Sequence, residues 1–211
     1  MSAREDILDR IRSALRDAPV APQIPRAYRT SSELDHDALI HLLVDRLVDY
    51  KARVCVLDAA EVPQRIAELL ADARSYVIPA GLDPDWTAGP HSASDGDRRR
   101  VDSVSAPLTV AELDGVDAVV TGSAVAVAET GTIILDGSPN QGRRAISLVP
   151  DHHICVVNAA DIAGILPEAL RRIDGTRPLT MISGPSATSD IELERVEGVH
   201  GPRILDVIIA R

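Results

Sequence analysis

Residues 53–79, RVCVLDAAEVPQRIAELLADARSYVIP, contain two short apolar runs separated by a stretch with helical periodicity. The runs Arg53–Leu57 and Ser75–Pro79 predict strands, and Glu61–Ala71 predicts a helix with Pro63 in its first turn, where proline is tolerated. Short apolar strands that alternate with helices are typical of a parallel sheet that is buried on both faces. This unit therefore predicts an α/β fold.

Further apolar runs continue this pattern to the C-terminus. Strands are predicted at Val116–Gly122, 124–129, 132–136, Ile146–Val149, Ile154–Val157, Leu179–Ile182 and Ile204–Ile209. A helix is predicted over about 160–173, interrupted or restarted at Pro167. The chain is thus expected to form a mainly parallel sheet with helices between its strands.

The N-terminal segment has a different character from the rest of the chain. Ser2 and Glu5 form a capping-box pattern, and apolar residues at helical spacing predict a helix over 3–17. A proline-rich stretch follows, and Ser31 or Ser32 is expected to cap a second helix. We predict an arm over 1–30, which docks on its own domain or on a neighbour, and an α/β domain over 31–211.

The composition indicates a globular protein with an unusual core. Apolar residues make up 45% of the 211 positions, enough for a buried core, whereas aromatic residues make up only 2% and Phe is absent. The core must therefore consist of Val, Ile, Leu and Ala. The formal charge of −10 and the scarcity of stacking side chains argue against nucleic acid and anionic membranes as partners.

The cysteine content and the hydropathy pattern bear on location and cofactors. Cys55 and Cys155 each lie in an apolar run, which is typical of buried thiols in a reducing cytosol. Two cysteines cannot supply the four ligands of an iron–sulfur cluster, so we expect no such cluster on this chain. Since no apolar run approaches the roughly 20 residues of a membrane span, a cytoplasmic protein without a span is expected.

The stretch from Ser183 to Pro202 is the strongest candidate for a functional site. It follows one predicted strand and precedes another, and open α/β sheets bind ligands at the carboxyl ends of their strands. Gly184 permits a tight turn, and Ser186 and Thr188 offer hydroxyl groups. A helix that begins at Asp190 would present free amides to an anion.

The acidic residues and the histidine of this stretch suggest different roles. Asp190 and Glu192 are two positions apart and do not share a helix face, so a carboxylate pair for acid–base chemistry is disfavoured. Either of them could accept a hydrogen bond from a ligand hydroxyl or simply stabilise the helix dipole. His200 lies in a glycine-flanked loop and suits proton transfer, although a structural turn histidine fits equally.

A second polar group interrupts the apolar run of 124–136. Glu129 stands alone at the break, followed by a hinge at Thr130 and Gly131. A carboxylate that ends an apolar strand is either paired, chemically active or exposed in a turn, and the residues leave these alternatives open.

Three polar segments between the strands are predicted as loops or turns. Gly81–Arg100 is long, and loops of this length are usually functional or mobile. Gly137–Arg144 is a polar loop that ends in two adjacent arginines. Pro150–His153 is expected to be a turn that joins two strands.

Several segments together resemble a known family. Ala128-Glu-Thr-Gly-Thr-Ile133, and Gly184–Glu192 with Gly198–Pro202, are similar to the paired signatures of the LUD-domain family, in particular its lactate utilisation protein C group. Leu148–Ile154 resembles the same family. The resemblance extends over about 35–211.

This resemblance implies a fold and a biological context. The fold would be a three-layer α/β sandwich like that of the NagB/RpiA/CoA-transferase group. The process would be the oxidation of L-lactate to pyruvate, together with partner proteins of which at least one carries iron–sulfur clusters. The present chain would be the cluster-free component, and the resemblance transfers no catalytic role residue by residue.

We therefore predict a pocket for a small anionic ligand in which Glu129 or His200 moves a proton. The residues expected to bind the ligand are Thr130, Gly131, Ser183, Gly184, Ser186, Thr188, Asp190 and Glu192. Two alternatives are an independent enzyme that acts on a phosphosugar, a folate or an acyl-CoA, and a non-catalytic assembly subunit.

Overall fold

A six-stranded sheet forms the centre of the protein. The computed structural model describes residues 2–17, 22–87, 98–188, 196–197 and 201–211. The strands of the central sheet are β1 (Arg53–Leu57), β2 (Tyr76–Pro79), β3 (Arg99–Asp102), β4 (Ala118–Thr121), β7 (His152–Asn158) and β12 (Ile204–Ala210). Their order is β1-β12-β7-β4-β2-β3, and every neighbouring pair is parallel. The predicted α/β fold with a mainly parallel sheet is confirmed.

A second sheet of four short strands lies beside the first. Its strands are β5 (Val125–Val127), β6 (Thr132–Leu135), β8 (Ile162–Ala163) and β9 (Thr180–Ile182), in the order β8-β5-β6-β9. β5 and β6 form an antiparallel hairpin, and β9 adds antiparallel to β6 at the edge. The runs at 124–129 and 132–136 are therefore strands as predicted, but they leave the central sheet.

Helices cover both faces of the central sheet. They are α2 (His36–Asp49), α3 (Val62–Leu69) and α4 (Val110–Asp114), whereas α5 (Leu166–Leu170) packs against β5 and β8 of the second sheet. On β12, Val207 and Ile209 pack in the same apolar cluster as α2 and the second sheet, whereas Ile208 packs with α3. Successive strand residues point to opposite faces, so this alternation defines a helix layer on each side of the sheet.

The N-terminal helix, α1 (Ala3–Ala14), has the expected capping box between Ser2 and Glu5 but ends before position 17. None of its residues is buried, and the apolar side chains of Ile7 and Ile11 are 58% and 49% exposed. Within the described residues, the arm thus leaves its apolar face open to solvent.

The start of α2 differs from the prediction. Asp35 caps the helix by accepting a hydrogen bond from the Ala38 amide at 2.8 Å. Ser32 instead donates its backbone N–H to the Glu168 carboxylate, also at 2.8 Å. This long-range contact keeps Ser32 outside the helix, and the local sequence contains no signal for it.

Two further predictions of secondary structure differ from the structure. Ile146–Val149 was expected to be a strand, but Arg144–Ser147 forms a 3-10 helix whose Ile146 packs with Val77 and Val119. The predicted helix at 160–173 is reduced to the five residues of α5, preceded by a 3-10 turn and β8.

Two predicted connecting segments also contain strand residues. Pro150–His153 was expected to be a turn, but His152 and His153 begin β7 and pair with β4 and β12. The long loop predicted at 81–100 ends where Arg99 begins β3. Residues 88–97 of that loop lie outside the described residues.

Candidate functional site

The Ser183 stretch follows the edge strand of the second sheet. We expected the strand before this stretch to belong to the parallel sheet. This was wrong, because that strand, β9, pairs antiparallel with β6. Beyond Ser186, the backbones of Ala187–Thr188 (β10) and Val196–Glu197 (β11) pair antiparallel. Asp190, Glu192 and His200, and the predicted helix, lie outside the described residues.

A chain of hydroxyl groups joins the two predicted parts of the site. Thr130 Oγ1 lies 2.8 Å from Thr132 Oγ1, which in turn lies 2.9 Å from Ser183 Oγ. Thr130 and Ser183 are therefore connected through Thr132, but Thr130 and Gly131 line neither of the two cavities described below. Thr132, which links them, was not identified as a site residue from the sequence.

Two glycines of the predicted site pack closely against α2. Gly131 has φ +59°, and a Cβ there would lie 2.7 Å from Arg46 Cβ. Gly184 has φ +90°, and a Cβ there would lie 2.7 Å from the carbonyl oxygen of Tyr50. Both the left-handed backbone and the close approach require glycine, so these positions shape the site rather than contribute side chains.

Glu129 is paired. Its carboxylate forms an ion pair with Arg29, and its backbone carbonyl accepts a hydrogen bond from Arg46 Nε at 3.3 Å. The Glu129 side chain is 44% exposed and is absent from the walls of the two cavities described next. Arg29 belongs to the segment that precedes α2, so this ion pair fixes that segment to the hairpin turn.

The smaller of two adjoining cavities lies along β9 and has a volume of about 230 Å³. Its lining includes Ser183, Gly184 and Ser186, together with His153 of β7 and Leu205 of β12. Ser186 donates its backbone N–H to the Pro202 carbonyl at 2.8 Å, which closes one end. Three of the predicted ligand-binding residues thus line one cavity.

The larger cavity, of about 580 Å³, lies where β2, β3 and β6 end. Its walls include Gly81, Asp102 and Asp136 and three arginines, Arg143, Arg144 and Arg177. Ser147 and Thr180 line both cavities, so the two adjoin. The sequence had shown the adjacent arginines, but only the fold places Arg177 beside them.

Two of the three arginines are neutralised by buried carboxylates. Asp102, 3% exposed, accepts hydrogen bonds from Arg143 at 2.7 to 3.0 Å, and this bonding raises the pKa of Arg143. Arg177 pairs with Asp136 at 2.9 Å.

Arg144 differs from its two neighbours in having no carboxylate partner. It is exposed, and its guanidinium makes no ion pair or hydrogen bond with any other residue that the structure describes. It therefore supplies an uncompensated positive charge at the cavity wall, which suits a small anion.

A buried polar cluster lies beside the smaller cavity. His153 is 1% exposed, and its Nε2 lies 2.8 Å from Thr121 Oγ1. Burial, with a smaller contribution from His152, lowers the pKa of His153 to about 3. Burial also raises the pKa of Cys155, which contacts Thr121, to about 12, so the cluster is uncharged near neutral pH.

His152, the neighbour of His153, takes part in a separate interaction. Its Nε2 lies 2.6 Å from the carboxylate of Asp206, which also pairs with Arg53. Burial alone would raise the pKa of Asp206, but hydrogen bonds from His152 and Arg53 outweigh it and the pKa is lowered. This cluster supports the pairing of β1, β12 and β7.

Across the described residues, no group of three or more His, Cys, Asp or Glu side chains is arranged to hold a metal ion. No helix in the described part of the chain is long and apolar enough to cross a membrane.

Comparison with known proteins places this α/β fold in a family. The sequence model of the LUD domain matches residues 40–210, which contain both sheets and both cavities. The chain belongs to the LUD-domain family, and the resemblance identified from the sequence is confirmed.

The similarity extends to particular relatives. Lactate utilization protein C of Deinococcus radiodurans is 44% identical over 212 residues, covering 98% of this chain and 95% of that protein. The protein of the same name from Halalkalibacterium halodurans is 25% identical and covers 88% and 83%. The crystal structure of a DUF162 family protein from Deinococcus radiodurans matches with a TM-score of 0.69 at 39% identity, covering 84% of this chain and 99% of that one.

Proposed function

We propose that this chain is a cytoplasmic, cluster-free component of an L-lactate utilisation system and that it binds a small carboxylate in the two adjoining cavities. The name of its relatives supports the process. The observation that carries the ligand class is the unpaired guanidinium of Arg144 at the wall of a cavity that adjoins the Ser183 hydroxyl.

In this proposal, electrons pass to a separate component. Oxidation of a hydroxyl to a carbonyl releases two electrons, which need an acceptor. Cys55 and Cys155 are too few to hold a four-cysteine cluster, so we assign the iron–sulfur chemistry to a partner subunit. The present chain then binds the acid and orients it.

The proposed contacts follow from the walls of the cavities. Arg144 attracts the carboxylate, and the hydroxyls of Ser183 and Ser186 bond the remaining oxygens. Gly184 lines the smaller cavity, and Thr130 and Gly131 support Ser183 from behind through the hydroxyl chain and the hairpin turn; direct contact of Thr130 or Gly131 with the ligand remains a prediction from the sequence. Thr188, Asp190 and Glu192, with Glu129 and His200 as proton-transfer groups, remain predictions from the sequence.

The direct test is calorimetric titration of the full chain with L-lactate, pyruvate and inorganic phosphate. Saturable binding of a small carboxylate at one site per chain is expected. Preference for a phosphosugar, a folate or an acyl-CoA in the same experiment would favour an independent enzyme instead. Absence of binding by every carboxylate would contradict the proposal.

The exposed face of α1 favours one additional role, which is assembly with the iron–sulfur subunit. Ile7 and Ile11 lie on a capped helix that none of the described residues covers. Replacing Ile7 and Ile11 with Ser is expected to reduce co-purification with that subunit by tenfold or more, since about 2–3 kcal/mol of apolar burial would be lost. The melting temperature should stay unchanged, and retained assembly would contradict this role.

A further inference from the structure

A chain of buried hydrogen bonds has a direction that is fixed at one end. The carbonyl of Gly122 can only accept, so the Cys155 thiol 3.8 Å away donates to it. The Cys155 sulfur then accepts from the Thr121 hydroxyl at 3.9 Å. The 2.8 Å contact between Thr121 Oγ1 and His153 Nε2 forms with either tautomer of the ring; when the hydroxyl proton is directed at the sulfur, the Thr121 oxygen accepts from His153 Nε2.

This direction determines the tautomer of His153. The imidazole is neutral, because burial lowers its pKa to about 3. With its proton on Nε2, the ring has a free lone pair on Nδ1, and Nδ1 makes no hydrogen bond within the part of the chain that the structure describes. Because His153 lines the smaller cavity, a ligand bound there can supply the donor that Nδ1 lacks.

The cavity beside His153 suits a small ligand. Its volume of about 230 Å³ corresponds to several water molecules of about 30 Å³ each. The other hydroxyl side chains in its described lining are Ser147, Thr180, Ser183 and Ser186, and Ser147 Oγ already donates to the Arg144 carbonyl at 3.1 Å. A neutral imidazole protonated at Nε2 can accept a hydrogen bond at Nδ1 but cannot donate one there, so it distinguishes a donor from a bare acceptor on the ligand.

We propose that His153 is a specificity-determining residue that accepts a hydrogen bond at Nδ1 from the hydroxyl of a 2-hydroxy carboxylate, with Thr121 as the positioning residue. This inference rests on the proposed function. It makes the site selective for the 2-hydroxy acid over the 2-oxo acid, whose carbonyl has no proton to donate. A site built to bond a hydroxyl discriminates strongly against an analogue that lacks it.

The first test measures the tautomer and needs no ligand. Nitrogen-15 spectra of the full chain with labelled histidine should show a neutral His153 protonated at Nε2 near neutral pH, with its signals assigned by their loss in His153→Gln. Thr121→Val should disturb this state, and Thr121→Ser should restore it. A neutral His153 protonated at Nδ1, or a charged ring, would overturn the inference.

The second test compares two ligands in the wild type and the two Thr121 variants. Calorimetry should show that Thr121→Val weakens L-lactate binding about tenfold and changes pyruvate binding less than about twofold, whereas Thr121→Ser keeps the wild-type ratio. An equal change for both acids, or an unchanged ratio, would contradict the inference alone. No binding of either acid to the wild type would contradict the proposed function as well.

Discussion

Gly184→Ala is expected to lower the free energy of unfolding by about 3 kcal/mol. The residue has φ +90°, where an L side chain is strained by about 1–3 kcal/mol. The added Cβ would also lie 2.7 Å from the Tyr50 carbonyl oxygen at the end of α2, and relieving such overpacking costs about 1–3 kcal/mol more. Movement of the turn would relieve part of this strain and would also displace Ser183.

Urea unfolding measures this effect, and Gly175→Ala provides the matched control. A Cβ at Gly175 meets no atom within 4 Å, and the residue is not among those with positive φ. The control should therefore change stability by less than about 0.5 kcal/mol. Equal stability of the two variants would show that the turn at Gly184 does not pack against α2.

Acid should destabilise the protein through His153 well before its carboxylates titrate. The pKa of His153 falls from 6.5 to about 3 on folding, chiefly because the ring is buried. Between these values the unfolded chain binds one more proton than the folded chain. Stability from this group is therefore complete above pH 6.5 and falls by about 1.4 kcal/mol for each pH unit below it.

The comparison of wild type with His153→Gln isolates this contribution. Carboxylates such as Asp206, whose pKa is lowered, lose stability at more acidic pH in both proteins and cancel in the difference. Between pH 4 and 6, the free energy of unfolding of the wild type should fall more steeply than that of the variant by about 1.4 kcal/mol per pH unit. Parallel curves would show that His153 is not buried as a neutral ring.

The sequence predicted most strands but could not assign them to sheets. β1 was predicted with its observed bounds because a short apolar run between polar residues is a local signal. The separation of β5, β6 and β9 into a second sheet depends on pairing between residues some fifty positions apart, such as Ile133 with Ile182. No local pattern contains that information.

The sequence identified those residues of the site whose role is set by backbone conformation. Gly131 and Gly184 are required by left-handed turns, and such glycines are visible in a sequence. Arg144 and His153 were missed because their importance arises from neighbours distant in sequence. In particular, His153 becomes a candidate only when β4 brings Thr121 to its side.

The central claim is that Arg144 holds the carboxylate of a small acid, and titration of two charge-matched variants with L-lactate tests it most directly. Arg144→Gln removes the unpaired charge from the cavity wall, whereas Arg10→Gln removes an equal charge from the exposed surface of α1. We expect about tenfold weaker binding for Arg144→Gln, since a charged hydrogen bond is lost, and wild-type binding for Arg10→Gln. Equal affinities in the two variants would contradict the account.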